Sequence, residues 1–246
     1  MTVRALFFDL DDTLIDDQAA VRHGAECVCS AHSGDLPAGT DHYAVWQTAF
    51  ALIYPRFVRG ELTFPEQRRA RVRQVFALPD LGDEEADRRF ATYLEGYRCG
   101  TRLFADVIPA LDRLAQLPLG VITNSQAGLP ESKLRTVGIR DRFRIVADPD
   151  SMGVRKPDAA IFHAACRALG VDGGDALHVG DHPELDARAA IAAGLGGWWL
   201  NRNQAQPQQS LPTITSLAQL QLHGVEKGVN SGRSRSAPSG AQARRR

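Results

Sequence analysis

The chain has 246 residues, 43% hydrophobic and 24% charged, an ordinary globular composition that can bury a substantial core without disulfide or metal staples. Its 29 basic and 29 acidic side chains cancel, which offers no electrostatic case for a nucleic-acid partner. No stretch approaches the roughly 18 apolar residues of a membrane span, and the apolar run near the N-terminus is too short for a signal peptide, so a cytoplasmic protein with no membrane partner is expected.

The first element is a run of bulky apolar residues from Val3 to Leu10 that ends in acids. Its length and weak alternation suit a strand buried on both faces of a parallel sheet. Residues 16 to about 100 break from that pattern. They are rich in Ala, Arg, Glu and Gln, contain no convincing strand, and carry strong helical spacing over Gln67–Phe76 and Glu84–Tyr97. An all-helical insert is expected there, with hinges near Asp16–Asp17 and Gly100–Phe104. Strand-like and helix-like segments then alternate: helix Val107–Leu117, strand Leu119–Thr123, helix Pro130–Val137, strand Arg144–Ala147, helix Asp158–Leu169, strand Ala176–Gly180, helix Glu184–Ala193 and strand Gly197–Leu200. Such alternation predicts an α/β fold with a parallel, Rossmann-like sheet covered on both faces and right-handed crossovers. The expected division is a core at 1–15 and 101–222, an all-helical insert at 16–100 and a tail at 223–246. The tail is rich in Ser, Gly and Arg and carries a net charge of +5. With almost no apolar side chains to bury it is expected to be disordered.

Four segments carry chemistry, each at the carboxyl end of a different predicted strand, where ligands bind in parallel sheets. Asp9 and Asp11 follow the first strand and would point the same way if that strand continued. Clustered carboxylates repel unless a cation lies between them, and hard oxygen donors suit Mg²⁺. Taken alone, the same residues also read as a helix-capping turn. Thr123, Asn124 and Ser125 end the second strand, where a hydroxyl and backbone amides can hold phosphate oxygens or simply turn the chain. Lys156 precedes Pro157 and Asp158 at a helix start and would supply a fixed positive charge, or lie in solvent. Asp181 and Asp186 follow strand Ala176–Gly180 and bring a second acidic pair to the same edge, or cap the next helix. Four unrelated caps converging on one sheet edge would be a coincidence.

Together these segments resemble the haloacid dehalogenase-like hydrolase superfamily, in the subfamily with a helical cap inserted after the first motif. The pattern DxDx[TV][LV] matches Asp9, Asp11, Thr13 and Leu14. The hydroxyl motif matches Thr123, the lysine motif Lys156, and GDxxxxD matches Asp181 and Asp186. The resemblance covers about residues 3–202. It implies a Mg²⁺-dependent phosphohydrolase that cleaves small phosphate monoesters through an aspartyl-phosphate on Asp9. Asp11 would protonate the leaving oxygen and later deprotonate water. Thr123, Lys156 and the amide of Asn124 would bind the phosphoryl group. The metal set would be Asp9, the main-chain carbonyl of Asp11, and Asp181, with Asp186 acting through a water or orienting Lys156. Substrate choice is expected from the cap, where Arg56 and Arg59 are candidate contacts for an anionic substrate.

The partner implied is a small phosphorylated metabolite; the oligomeric state stays open, with a monomer favoured. A sugar-phosphate mutase keeps the same motifs, and a catalytically silent binding module on the same fold is a second alternative. A haloacid dehalogenase ranks lower, because its pattern lacks a carboxylate at the position of Asp11. The cysteines, Cys27, Cys29, Cys99 and Cys166, do not follow zinc-site spacing. His182 reads as a surface residue at a helix start. Of Trp198 and Trp199, one is expected in the core and one facing out.

Overall fold

In a computed structural model, which describes residues 2–126, 128–206 and 210–221, the chain forms a parallel six-stranded sheet with helices on both faces. The strands are β1 (Ala5–Phe8), β2 (Leu119–Ile122), β3 (Ile145–Ala147), β4 (Ala176–Gly180), β5 (Gly196–Leu200) and β6 (Thr213–Ile214). Their order is β3-β2-β1-β4-β5-β6. The helices are α1 (Asp17–Ala31), α2 (His42–Val58), α3 (Phe64–Phe76), α4 (Asp83–Gly100), α5 (Val107–Arg113), α6 (Leu129–Thr136), α7 (Pro149–Met152), α8 (Ala159–Leu169) and α9 (Ala189–Ala192). The tail expected to be disordered, 223–246, lies outside the described residues. No described helix is long and apolar enough to cross a membrane.

β1 is central and wholly buried. Side chains alternate across a strand, so Leu6 and Phe8 enter one apolar layer with Val121, Val179 and Leu111 of α5. Ala5 and Phe7 enter the opposite layer with Ile161 and Phe162 of α8 and Ala189 of α9. This two-sided burial is why the strands read as continuous apolar runs rather than as alternating ones. Trp199 is buried and Trp198 packs at the edge of the first layer, as strand alternation requires.

Between β1 and the rest of the sheet, α1–α4 bury a core of their own, centred on Trp46, Phe76, Phe90 and Tyr93. Its ends are well specified. Asp16 caps α1 through the amide of Ala19, and Thr63 with Glu66 forms a reciprocal capping box on α3, which satisfies otherwise orphaned amides. The insert leaves and rejoins the core side by side: Ile15 bridges Leu103, Asp16 N–H donates to Arg102 O, and the Arg102 guanidinium binds the Asp16 carboxylate.

The structure departs from the expected elements in three places. α5 stops at Arg113, because the following residues close into tighter turns, Ala115 to Asp112 and Leu117 to Leu114. The helix expected from Glu184 begins as a π-helical turn, Pro183–Arg188, before α9. β6 went unpredicted because two residues carry no periodicity.

α1 and α4 touch through glycine. A Cβ at Gly24 would lie 2.8 Å from the Tyr93 ring and carbonyl, and one at Gly96 would lie 2.7 Å from Cys27 Sγ and 3.0 Å from Gly24 Cα. Gly96→Val is expected to destabilise the protein by ~1–3 kcal/mol through overpacking, read as a lower urea midpoint with an unchanged slope.

Candidate active site

The site lies where β1, β2 and β4 end, and a buried lysine organises it. Lys156 extends its ammonium 2.5 Å from Asp9 Oδ1 and 2.6 Å from Asp186 Oδ1, with 3% of its side chain exposed. Its backbone is clamped by Asn124: the Lys156 N–H donates to Asn124 Oδ1, and Asn124 Nδ2 donates to Lys156 O, at 2.8 and 2.9 Å. Pro157 lies before the helix rather than in its first turn, and Asp158 caps α8 through the Ala160 amide.

Asp186 is fully committed. Oδ1 also accepts from His178 Nε2 at 3.0 Å, and Oδ2 accepts from the His182 amide at 2.9 Å. Gly180 makes room for it: a Cβ there would lie 2.3 Å from the Asp186 carboxyl carbon. The π-helical turn carries Asp186 inward; such turns recur at functional sites. Burial works against the charge on Asp186, yet Lys156 and His178 hold its carboxyl well below the usual carboxylate range. Burial in turn depresses His178, so the imidazole is neutral and donates from Nε2.

Asp9 is pushed well upward by burial, against the pull of Lys156 and with the repulsion of Asp186 and Asp181. Asp181 is raised to about 7 by burial, Asp186 and Asp12. Two backbone bonds hold Asp181: its N–H donates to the hydroxyl of buried Thr13 at 3.0 Å, and its carbonyl accepts from Trp199 Nε1 at 2.7 Å. Carboxylate oxygens of Asp9, Asp181 and Asp186 lie within 4.8 Å of one another. This hard-oxygen cluster carries more negative charge than Lys156 neutralises, and a divalent cation fits that chemistry.

The strand does not continue through Asp9 and Asp11, the condition on which a shared direction rested, and their carboxylates take different partners. β1 ends at Phe8, Asp11 forms an isolated bridge to Ile15, and Asp12 turns the chain at φ 56°. The Asp11 carboxylate accepts from Ser125 Oγ and from Lys133 Nζ, each at 2.6 Å. It is therefore outside the three-carboxylate cluster, and only its main-chain carbonyl is left for the expected metal set. Lys133, on α6, also bonds Asp17, which accepts a short hydrogen bond from the Tyr97 hydroxyl. Asp11 and Asp17 raise the Lys133 ammonium despite its burial. Thr123 is buried, and its hydroxyl accepts from the Ser125 amide.

Several of these residues escaped sequence reasoning. Lys133 looks like any charged helical residue, so nothing flagged it. His178 did leave a signal: it is the one polar side chain in an otherwise apolar buried strand, which demands a partner. His182 is exposed, as expected, and its ring caps the π-helical turn. Arg56 and Arg59 are misplaced as substrate contacts. Both bind Glu61, and neither lines the cavity of about 600 Å³ above the site. The arginines that do line it, among the described residues, are Arg68, Arg71 and Arg98. The cysteines are free thiols.

Removing the central cation should show its structural weight. Lys156→Met leaves Asp9 and Asp186 buried without a counter-charge, at a cost of about 3–5 kcal/mol. In urea unfolding of metal-free protein, the deficit is expected to be smaller at pH 5 than at pH 8, because protonation relieves the stranded carboxylates.

With this geometry in view, known proteins supply the context. A family model described as haloacid dehalogenase-like hydrolase matches residues 3–194. Phosphoglycolate phosphatase of Rhodobacter capsulatus is 33% identical over 193 residues, which cover 78% of this chain and 81% of that protein. Pyrimidine 5'-nucleotidase YjjG of Escherichia coli is 36% identical over 111 residues, 44% and 48% of the two chains. Among solved structures, the HAD-hydrolase YfnB of Bacillus subtilis, bound to magnesium, superposes with a TM-score of 0.72 at 22% identity, over 89% of this chain and 96% of that one. The 2-haloacid dehalogenase of Pseudomonas syringae superposes at 0.65 with 28% identity over the same shares. The ordered motifs, the parallel sheet that gathers them and the match across most of the sequence together place this chain in the haloacid dehalogenase-like hydrolase family.

Proposed function

We propose that the chain is a Mg²⁺-dependent phosphohydrolase that cleaves small phosphate monoesters through an aspartyl-phosphate on Asp9. The observation that carries this reading is the pair of separately held carboxylates at one cavity. Asp9 lies against Lys156 inside the acidic cluster, while Asp11 is anchored apart by Ser125 and Lys133. A nucleophile and a proton carrier need different environments, and here each has its own cation.

In this reading an Asp9 oxygen bonds to phosphorus as the ester P–O bond breaks. The departing oxygen takes a proton from Asp11. Asp11 then takes a proton from water, whose oxygen attacks phosphorus and releases Asp9 and inorganic phosphate. Splitting the hydrolysis in two lowers each barrier, and one residue serves as acid and then as base. Lys156 and the Thr123 hydroxyl hold the phosphoryl oxygens, and the amide of Asn124 adds a donor while its side chain fixes Lys156. Asp9 and Asp181, with the Asp11 main-chain carbonyl, would hold Mg²⁺, and Asp186 keeps Lys156 in place. When bound, the ion supplies positive charge to the phosphoryl oxygens as charge develops on them.

The α1–α4 insert serves as the cap. Its α2, α3 and α4 wall the cavity opposite the catalytic edge through Tyr54, Arg71 and Tyr97, so closing it would exclude bulk water. Relatives named for phosphoglycolate and pyrimidine nucleotides support a small phosphorylated metabolite as substrate. Dehalogenation fits less well despite the shared fold, because the acidic cluster and Asp11 would have no task in it.

Purified protein should release p-nitrophenolate from p-nitrophenyl phosphate with Mg²⁺ and not with EDTA, and Asp9→Asn should lower kcat by roughly 10³-fold or more. Inactivity of a folded wild type that binds Mg²⁺ would favour the mutase or the silent binding module.

Metal binding should also depend on pH. With Asp181 held at about 7, the metal-free folded protein keeps a proton that the unfolded chain has already lost above the ordinary carboxylate range. Its stability therefore falls as pH rises from about 4 to about 7. Mg²⁺ replaces that proton, so the rise in Tm on adding Mg²⁺ is expected to be larger at pH 8 than at pH 5; an equal rise would remove Asp181 from the metal set.

A further inference from the structure

The helical wall of the cavity holds a second cationic site. α3 carries four arginines, and helical geometry sorts them into two faces. Arg69 and Arg73 point outward and bind Asp83 and Asp87. Arg68 and Arg71 point to the cavity with Gln67. Arg71 is 8% exposed and Gln67 is 4% exposed, yet no carboxylate among the described residues pairs with Arg71. Its guanidinium carbon lies 4.9 Å from the Phe50 ring centre, 5.0 Å from Trp46 and 5.7 Å from Phe90 and Tyr93. The Tyr93 hydroxyl supports its charge. Arg71 Nε and Gln67 Oε1 have no hydrogen-bond partner. Arg68 lies 3.9 Å from the Phe64 ring centre and likewise has no paired carboxylate.

A buried guanidinium without a counter-ion is costly, and ring faces repay part of that cost only. Buried charges are normally paired, and Arg71 and Arg68 line the cavity with no described acidic side chain paired to either, so an anion held in the cavity would complete them. The cavity is also larger than a phosphoryl group needs and falls in the range of small-molecule sites.

We propose that Arg71, assisted by Arg68, recognises a carboxylate on the leaving group of the substrate, so that the enzyme prefers phosphate monoesters whose alcohol or phenol carries a carboxylate on an apolar or aromatic body. The proposal rests on the phosphohydrolase reading above. A carboxylate suits the site better than a second phosphate: it is flat, so it fits between ring faces while meeting the guanidinium fork edge-on. Asp9 and Lys156 line the same cavity, so one ligand can meet both sites.

The test compares phenyl phosphate with 4-carboxyphenyl phosphate under saturating Mg²⁺, by release of inorganic phosphate. The wild type is expected to favour the carboxylated ester by roughly 10- to 100-fold in kcat/KM, the worth of a charge-assisted hydrogen bond, with the difference mainly in KM. Arg71→Met should bring the ratio close to one. Arg71→Lys, which keeps the charge but not the fork, should give an intermediate ratio. Arg69→Met, on the outer face, should leave both the ratio and the activity as they are. A wild-type ratio near one, or a ratio that survives Arg71→Met, overturns the proposal. Should Arg71→Met not fold, inhibition of the wild type by phenylphosphonate and 4-carboxyphenylphosphonate decides: tighter binding of the carboxylated compound supports the site and equal binding overturns it. Absence of turnover of either ester by folded wild type would count against the phosphohydrolase reading alone, since direct binding of the two phosphonates still judges the carboxylate site.

Discussion

The Lys156 ammonium, held between Asp9 and Asp186, is the contact on which the site depends. Three charges in so dry a place are expensive to bury, and only close geometry with further hydrogen bonds makes them tolerable. The surrounding structure meets that condition piece by piece. Asn124 clamps the Lys156 backbone, His178 and the His182 amide complete Asp186, and Gly180 clears the space that Asp186 occupies. The burial pattern of the sheet makes the arrangement possible, because β1 and β4 lie at its centre and carry Asp9 and His178 into the interior. The lysine still does not balance the charge. Asp181 and Asp9 remain raised, and that imbalance gives a divalent cation its place.

A second lysine performs the parallel task for Asp11, with a different consequence. Lys133 joins α6 of the core to Asp17 at the start of α1, and Tyr97 of α4 closes on the same aspartate. Asp11 is thus wired to both ends of the inserted helices, beside the point where the chain leaves and re-enters the core. Any displacement of the insert relative to the sheet would be felt at Asp11 before it reached Asp9, which is anchored within the core.

The inserted helices separate structural from free charge. Most of their arginines are neutralised by neighbouring acids: Arg69 and Arg73 by Asp83 and Asp87, Arg89 by Asp35 and Glu85. The pairs of Arg69 and Arg73 lie toward solvent and contribute little to stability, whereas Arg89 itself is buried. Arg68 and Arg71 have aromatic faces in place of acids, so the cavity wall opposite the acidic edge is cationic. A phosphate ester entering between them would meet cations at both ends.

The sequence alone determined five of the six strands and the ordered positions of Asp9, Thr123, Lys156, Asp181 and Asp186, since short buried strands followed by polar turns declare themselves through local periodicity. It also determined that a helical segment separates the first strand from the others. What it did not contain was direction. The spacing of Asp9 and Asp11 suggested a shared face should the strand continue, and only the end of β1 at Phe8 and the separate partners of the two carboxylates settled where each is held. Arg56 and Arg59 looked suitable for an anion, and nothing in the local sequence singled out Arg68 and Arg71. The packing of α3 against α2 and α4 decided which pair faces the cavity and which finds Glu61. Lys133 and Tyr97 reach Asp11 and Asp17 across more than 75 positions of sequence, a range over which no local pattern operates. Periodicity reports whether a side chain is inside or outside its own element; which distant groups then meet depends on how elements pack, and that information exists only in three dimensions.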